Sequence, residues 1–148
     1  MKHCRSLTFA FLAFCVLIFA QSPNIQQSWT FLGTGTSAAV SNAGVTGAAS
    51  WRLSFRPTGF TAASVQVETA EDCSGSPCST WTAIAAANFI EGVNPIVWTS
   101  SDSPPTSQTN AFVFTHPWYR VHVVSVSGSG SLTSLLLGYR GASTSLTQ

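Results

Sequence analysis

The chain has 148 residues, of which only 7% are charged, and its formal net charge is +1 at pH 7. This length is enough for one domain with a single hydrophobic core. So few basic residues argue against a nucleic-acid-binding surface, which needs a stripe of lysine or arginine to neutralise phosphates.

The first twenty residues have the pattern of a cleaved secretory signal. Lys2 and Arg5 form a basic start, and an apolar run over residues 7–19 ends at a small residue before polar ones. The run is shorter than the about 20 residues of a membrane-spanning helix. We therefore predict that residues 1–20 are a signal peptide and that residues 21–148 form a secreted domain without a membrane span. An uncleaved membrane anchor is the alternative.

The predicted mature chain is poor in charge and rich in aromatic residues. It keeps no lysine, and its four arginines and five acidic residues give a net charge of −1. All five tryptophans lie in it, so a core can form. The surface must then be covered mainly by uncharged polar residues, which suit broad hydrogen-bonded contacts but leave little charge to resist self-association.

Alternating apolar residues predict an all-β fold, because no segment has a convincing helical period. Clusters of glycine, proline, serine and asparagine, including Pro57–Gly59 and Ser127–Gly130, separate about eight predicted strands at spacings typical of a sandwich. We therefore predict a single antiparallel β-sandwich. The segment from Trp29 to Ala49 is rich in glycine and alanine, which is typical of an edge, a bulge or a flexible arm. In chain order the alternating groups are Trp29 and Phe31; Trp51, Leu53 and Phe55; Ala63, Val65 and Val67; Trp81 and Ala83; Ile96 and Trp98; Phe112 and Phe114; Tyr119, Val121 and Val123; and Leu132 to Tyr139.

Cysteine usage agrees with export. Cys4 and Cys15 would leave with the signal, so that only Cys73 and Cys78 remain to pair. A disulfide closing so short a loop would contribute roughly 2 kcal/mol to stability in the chain-entropy model. A redox role would favour C-x-x-C beside a βαβ unit, so we predict a structural disulfide. Trp81, just beyond this loop, is predicted to anchor the core.

No catalytic constellation stands out, and we predict neither enzymatic activity nor a cofactor. We also predict no metal site. The weak candidates are the adjacent carboxylates Glu71 and Asp72, which would need several further oxygen ligands to hold Ca²⁺ and lie in no D-x-D-x-D pattern. A small secreted hydrolase using Glu71, Asp72 or His122 remains a weaker alternative.

The candidate ligand-binding residues are Trp118, Arg120 and His122, which share one parity on a predicted strand. If the residues between them face the core, these three face outward, where they could stack on a sugar ring and bond its hydroxyls. In the alternative interpretation Trp118 packs under a loop and Arg120 pairs with an acid. The polar loop from Ser100 to Asn110 is a second place where function could lie.

The run from Val65 to Tyr139 resembles galactose-binding-like, discoidin-type jelly-roll domains. The likeness lies in a V-x-V strand followed by T-W-T, then in a Y-R-V strand and a closing apolar strand; these are Val65–Val67, Thr80–Ile84, Tyr119–Val123 and Leu135–Tyr139. The resemblance implies a jelly-roll topology. It implies no particular ligand site, because fold likeness is only an analogy for function.

These observations favour a secreted, non-catalytic binding or adhesion module at the cell surface or outside the cell. The expected partner is a polysaccharide or a cell-surface glycan. A structural alternative is a subunit that binds copies of itself to build a filament or surface layer, which near-zero net charge and apolar edge strands would permit.

Overall fold

The structure is a computed structural model that describes residues 23–42, 50–102, 108–113 and 115–140. The predicted signal peptide, Phe114 and residues 103–107 of the predicted polar loop lie outside these ranges. Within them the chain forms eight strands in one antiparallel sheet and one turn of 3-10 helix, Ala86–Asn88. None of the described residues belongs to a helix long and apolar enough to cross a membrane.

Two long strands form the centre of the sheet. Strands β4 and β8 contain 21 and 22 residues and pair with each other over nearly their whole length. Strands β1, β2 and β3 pair with the other side of β8, and β5, β6 and β7 with the other side of β4. The strands are β1 Ile25–Phe31, β2 Gly35–Thr36, β3 Val40–Ser41, β4 Ser50–Ala70, β5 Thr82–Ala83, β6 Ile96–Thr99, β7 Gln108–Val113 and β8 Trp118–Tyr139.

The sheet folds back on itself to make two facing layers. Trp51 and Thr69 lie near opposite ends of β4, and a straight strand would separate them by roughly 60 Å at about 3.3 Å per residue. Yet Tyr119, which pairs with Thr69, has its ring centroid 4.2 Å from that of Trp51. We call β1, β7 and the adjoining halves of β4 and β8 layer 1, and the remaining strands and halves layer 2.

Glycines at the fold line allow this bend. The β4–β8 register shifts on both sides of Phe60, as bulged strands do where they turn a corner. Gly59 and Gly128 have φ values of 83° and 86°, a region in which L-residues with a side chain are strained. A Cβ on Gly130 would overlap the carbonyl oxygen of Thr58. The two backbones therefore approach closely only because glycine is present.

The bend changes how the predicted eight strands are made up. Pro57–Gly59 and Ser127–Gly130 were expected to separate strands, but each lies inside one continuous strand. Bulges keep the two strands paired through the bend, so these glycines act as corners and not as turns. Four predicted strands are thereby joined into the two long strands β4 and β8. The number of strands is still eight, because the glycine-rich segment before residue 42 forms two short edge strands, β2 and β3, that pair with β8.

Apolar side chains from both layers fill the space between them. Trp51 is central, with its ring stacked 6.2 Å from that of Phe112 and in contact with Tyr119. Fully buried side chains of this core are Trp51, Leu53, Phe55, Val65, Val67, Ile96, Phe112, Tyr119, Val121, Val123, Leu132 and Leu136.

The all-β antiparallel class, the eight strands and the Cys73–Cys78 disulfide are confirmed. The two cysteines have Cα atoms 5.0 Å apart, and Asp72, just before Cys73, forms an antiparallel bridge with Pro77, just before Cys78. The jelly-roll topology remains a prediction.

Candidate functional site

The predicted trio lies on the outer surface of layer 2. Trp118, Arg120 and His122 are each partly exposed and alternate along β8 with buried residues. On the neighbouring strand β4, Glu68 stands opposite Arg120 and Gln66 stands opposite His122. Residues directly opposite each other in an antiparallel pair have side chains in contact, so the trio has polar partners within the sheet.

Glu68 is the centre of this group although only 7% of its surface is exposed. Its Oε2 accepts a hydrogen bond from Arg120 Nε at 2.6 Å, and its Oε1 accepts one from Gln66 Nε2 at 2.6 Å. The same Oε1 lies 2.8 Å from His122 Nδ1. A buried carboxylate is tolerated when it is paired and hydrogen-bonded in this way.

The contact with Glu68 also determines which ring nitrogen of His122 carries the proton. An ionised carboxylate can only accept hydrogen bonds, so Nδ1 of His122 carries the proton in their 2.8 Å contact. In the neutral imidazole, Nε2 is then an acceptor. No described residue forms a hydrogen bond with this Nε2, which leaves it available to a ligand.

Arg120 lies over the indole of Trp81, with its Cζ 4.3 Å from the ring centroid. Such cation–π contacts hold an arginine in one orientation. Only Nε of Arg120 is hydrogen-bonded within the described chain, so both terminal amino groups remain free to donate. The prediction that Trp81 anchors the core is wrong. The indole is partly exposed because its chain follows the disulfide loop over the outer surface, where Arg120 supports it.

Asp72, next to the disulfide loop, holds Trp118. The indole Nε1 donates to Asp72 Oδ1 at 2.8 Å, and the N–H of Gly75 donates to Asp72 Oδ2 at 3.0 Å. These two hydrogen bonds keep the pKa of Asp72 below its usual value, and the one from Trp118 has the larger effect. The loop closed by Cys73–Cys78 therefore fixes the position of an aromatic ring beside Arg120.

The remaining candidates do not converge. Glu71 Oε1 lies 3.2 Å from His116 Nε2, whereas Asp72 binds Trp118 and His122 binds Glu68. The three residues of the hydrolase alternative thus have separate partners. In the described ranges, no three histidine, cysteine, aspartate or glutamate side chains come together as a metal site.

The ionised state of Glu68 should stabilise the fold. Burial alone would raise the pKa of this carboxyl, but the hydrogen bonds from His122, Arg120 and Gln66 and the charge of Arg120 outweigh it. The pKa therefore lies below its ordinary value of 4.5. Because the folded-state pKa is depressed, the contribution is full above 4.5 and is lost as the pH falls through the folded-state value.

Glu68→Gln is therefore expected to unfold at lower urea concentration than the unmodified protein at pH 7. The gap should narrow as the pH falls below 4.5, since protonation removes the same charge from the unmodified protein. Urea midpoints from pH 7 down to strongly acidic pH would measure it. The titration of Asp72 is present in both proteins and cancels in the comparison. A gap that stays constant over this range would contradict the assignment.

Reasoning from sequence found the trio but missed Gln66, Glu68 and Trp81 as its neighbours. A usable signal existed, because Gln66 and Glu68 alternate with buried valines just as Arg120 and His122 do. Pairing these two strands in the right register would have placed the four polar residues together.

Comparison with known proteins found no match among protein-family models, curated proteins or solved structures. The resemblance to galactose-binding-like domains therefore remains a prediction. What the site can do follows from its own chemistry, which combines aromatic surface with hydrogen-bonding groups held at fixed positions.

Proposed function

We propose that the protein is a secreted, non-catalytic module that binds a carbohydrate on the outer surface of layer 2. The observation that carries this proposal is the row of Trp118, Arg120 and His122. It places an indole ring beside donor and acceptor groups that form no hydrogen bond within the described chain. Sugars present an apolar C–H face together with hydroxyls, so they need both kinds of contact.

The row is arranged before any ligand arrives. Asp72 holds Trp118 at one end, while Glu68 holds both Arg120 and His122. Side chains that are already fixed lose little conformational freedom on binding, which favours affinity. The terminal amino groups of Arg120 would donate to one hydroxyl, and His122 Nε2 would accept from another.

Secretion is part of the same proposal. The basic, then apolar start of the sequence supports it, as does the Cys73–Cys78 disulfide, since such bonds persist in oxidising compartments. The extracellular setting also supplies the expected ligands, which are polysaccharides and cell-surface glycans.

Trp118→Ala is expected to weaken sugar binding by about tenfold or more, which corresponds to about 1.4 kcal/mol of lost stacking. A glycan array on the secreted protein would identify ligands, and isothermal titration would give their affinities. Val97→Ala is the matched control, because Val97 is 64% exposed and lies on β6, apart from the row. The absence of binding to any neutral or charged glycan would contradict the proposal. So would a Trp118→Ala protein that binds sugar as tightly as the unmodified protein and has the same thermal midpoint.

A self-assembling subunit is the second candidate function. Among the described residues β6 pairs only with β4, and although Asp102 binds the backbone of Thr99, the rest of its other edge could pair with another strand. The exposed side chain of Val97 lies on this strand, and Leu32, 82% exposed, lies just beyond β1. Size-exclusion chromatography and negative-stain microscopy would test assembly; a strict monomer at high concentration would rule against it.

A further inference from the structure

The outer surface of layer 1 carries two arginines that the sugar site does not use. Arg52 and Arg56 alternate along β4 with the buried side chains of Leu53 and Phe55, so both project away from the core. Four residues of strand at about 3.3 Å each separate them by roughly 13 Å. They therefore form a short basic row along one strand.

No acidic side chain neutralises this row. The ion pairs recorded among the described residues involve His116, Arg120 and His122 as cations, and neither Arg52 nor Arg56 takes part in them. All five acidic residues lie between positions 68 and 102, outside the layer 1 strands. Of these acidic residues, Glu91 is the one linked to the row through strand pairing. Its carboxylate accepts a hydrogen bond from the N–H of Ala111, which stands opposite Arg52. It forms no ion pair with that arginine.

The rest of the surface carries uncharged, mostly polar side chains, which suit a polymer with many hydroxyls. Ser54 lies between the arginines, and its Oγ is 2.8 Å from Thr109 Oγ1 on β7. Leu135, opposite Ser54, is partly exposed and adds an apolar contact on the same side. The neighbouring side chains on this surface are Gln26, Ser28, Thr30, Thr109, Thr133, Leu135 and Leu137.

We propose that the outer surface of layer 1 binds a linear anionic polysaccharide. Arg52 and Arg56 would contact carboxylate or sulfate groups carried by sugars at two points along one chain. Guanidinium groups suit both anions because they can donate two parallel hydrogen bonds. The hydroxyl and amide side chains between them would bond the intervening sugars, and Leu135 would pack against ring C–H groups.

Other occupants fit this surface less well. A DNA duplex carries a phosphate about every 3.4 Å along each strand, so two cations roughly 13 Å apart would neutralise few of them. A second copy packed face to face would bring arginines together without facing carboxylates, which is unfavourable. An anionic polysaccharide with spaced charges and many hydroxyls matches both properties of the surface.

The test is affinity of the secreted protein for four probes: polygalacturonate, dextran sulfate, uncharged dextran and oligothymidylate. We expect binding to polygalacturonate, dextran sulfate or both, and weakening of that binding as salt is raised. The double variant Arg52→Gln/Arg56→Gln should lose about tenfold or more in affinity, since it removes both charge-assisted contacts. The two polyanions together show whether carboxylate or sulfate is preferred.

Arg140→Gln is the control, because it removes one positive charge from a residue that follows β8 and lies outside the row. It should lose less affinity than the double variant does, because both arginines of the row and their charge-assisted contacts remain. Trp118→Ala should leave polyanion binding intact, which separates this surface from the proposed sugar site. Three results would each overturn the proposal: no binding to either polyanion, full binding by the double variant, or equal binding to oligothymidylate.

Discussion

Gly130→Ala is expected to destabilise the domain by about 3 kcal/mol or more, which is a large part of the about 5–15 kcal/mol that holds a small protein folded. The added Cβ would overlap the carbonyl oxygen of Thr58 and lie 2.8 Å from the nitrogen of Phe60. Both are backbone atoms at the fold line, so no side-chain rotation relieves the clash. The two long strands would have to separate where the sheet bends.

Chemical unfolding followed by tryptophan fluorescence would measure this loss. Gly33→Ala is the matched control, because no atom lies within 4 Å of a Cβ built at that position. Its free energy of unfolding should change by no more than about 0.5 kcal/mol. Equal stability of the two variants would mean that the strands do not approach at Gly130 as described.

Trp51→Ala is expected to cost about 3–5 kcal/mol, the usual loss when a large buried aromatic side chain is truncated. Trp51 is fully buried on β4 in layer 1, and its ring reaches Tyr119 in layer 2. Truncation would leave a cavity between the layers and remove contacts that join them. Thermal and urea unfolding would measure the effect.

Leu32→Ala serves as the control for Trp51→Ala, since Leu32 is 82% exposed and its truncation should alter stability by less than about 0.5 kcal/mol. If Trp51→Ala fails to fold, Trp51→Phe keeps an aromatic ring and should show a smaller, measurable loss. A Trp51→Ala protein as stable as the unmodified one would contradict the two-layer core.

Much of the core could be predicted from alternation alone. Trp51, Val65 and Tyr119 each belong to one of the alternating apolar groups, and each is fully buried. The bend could not be predicted in the same way, because a glycine cluster interrupts the alternating pattern whether the chain turns or continues through a bulge. The decisive fact is non-local: the glycines of β4 and β8 lie opposite each other.

The candidate site shows the same division. The shared parity of Trp118, Arg120 and His122 is a local property, and the structure places the three on one outer surface. The contacts of Arg120 and His122 with Glu68 depend on the register between strands about fifty residues apart in sequence. Hydrophobic alternation sets which side of the sheet a residue occupies, but it does not say which residue stands opposite.

The pairing of β1 with the far end of β8 makes the folding of the first described strand depend on the last one. Ile25 pairs with Gly138, and within the described ranges the short strands β2 and β3 also pair only with β8. In a nascent chain whose β8 has not yet been synthesised, these three strands lack their pairing partner. Such non-local pairing is typical of slow-folding β-proteins, so this sheet should assemble only after β8 has been synthesised.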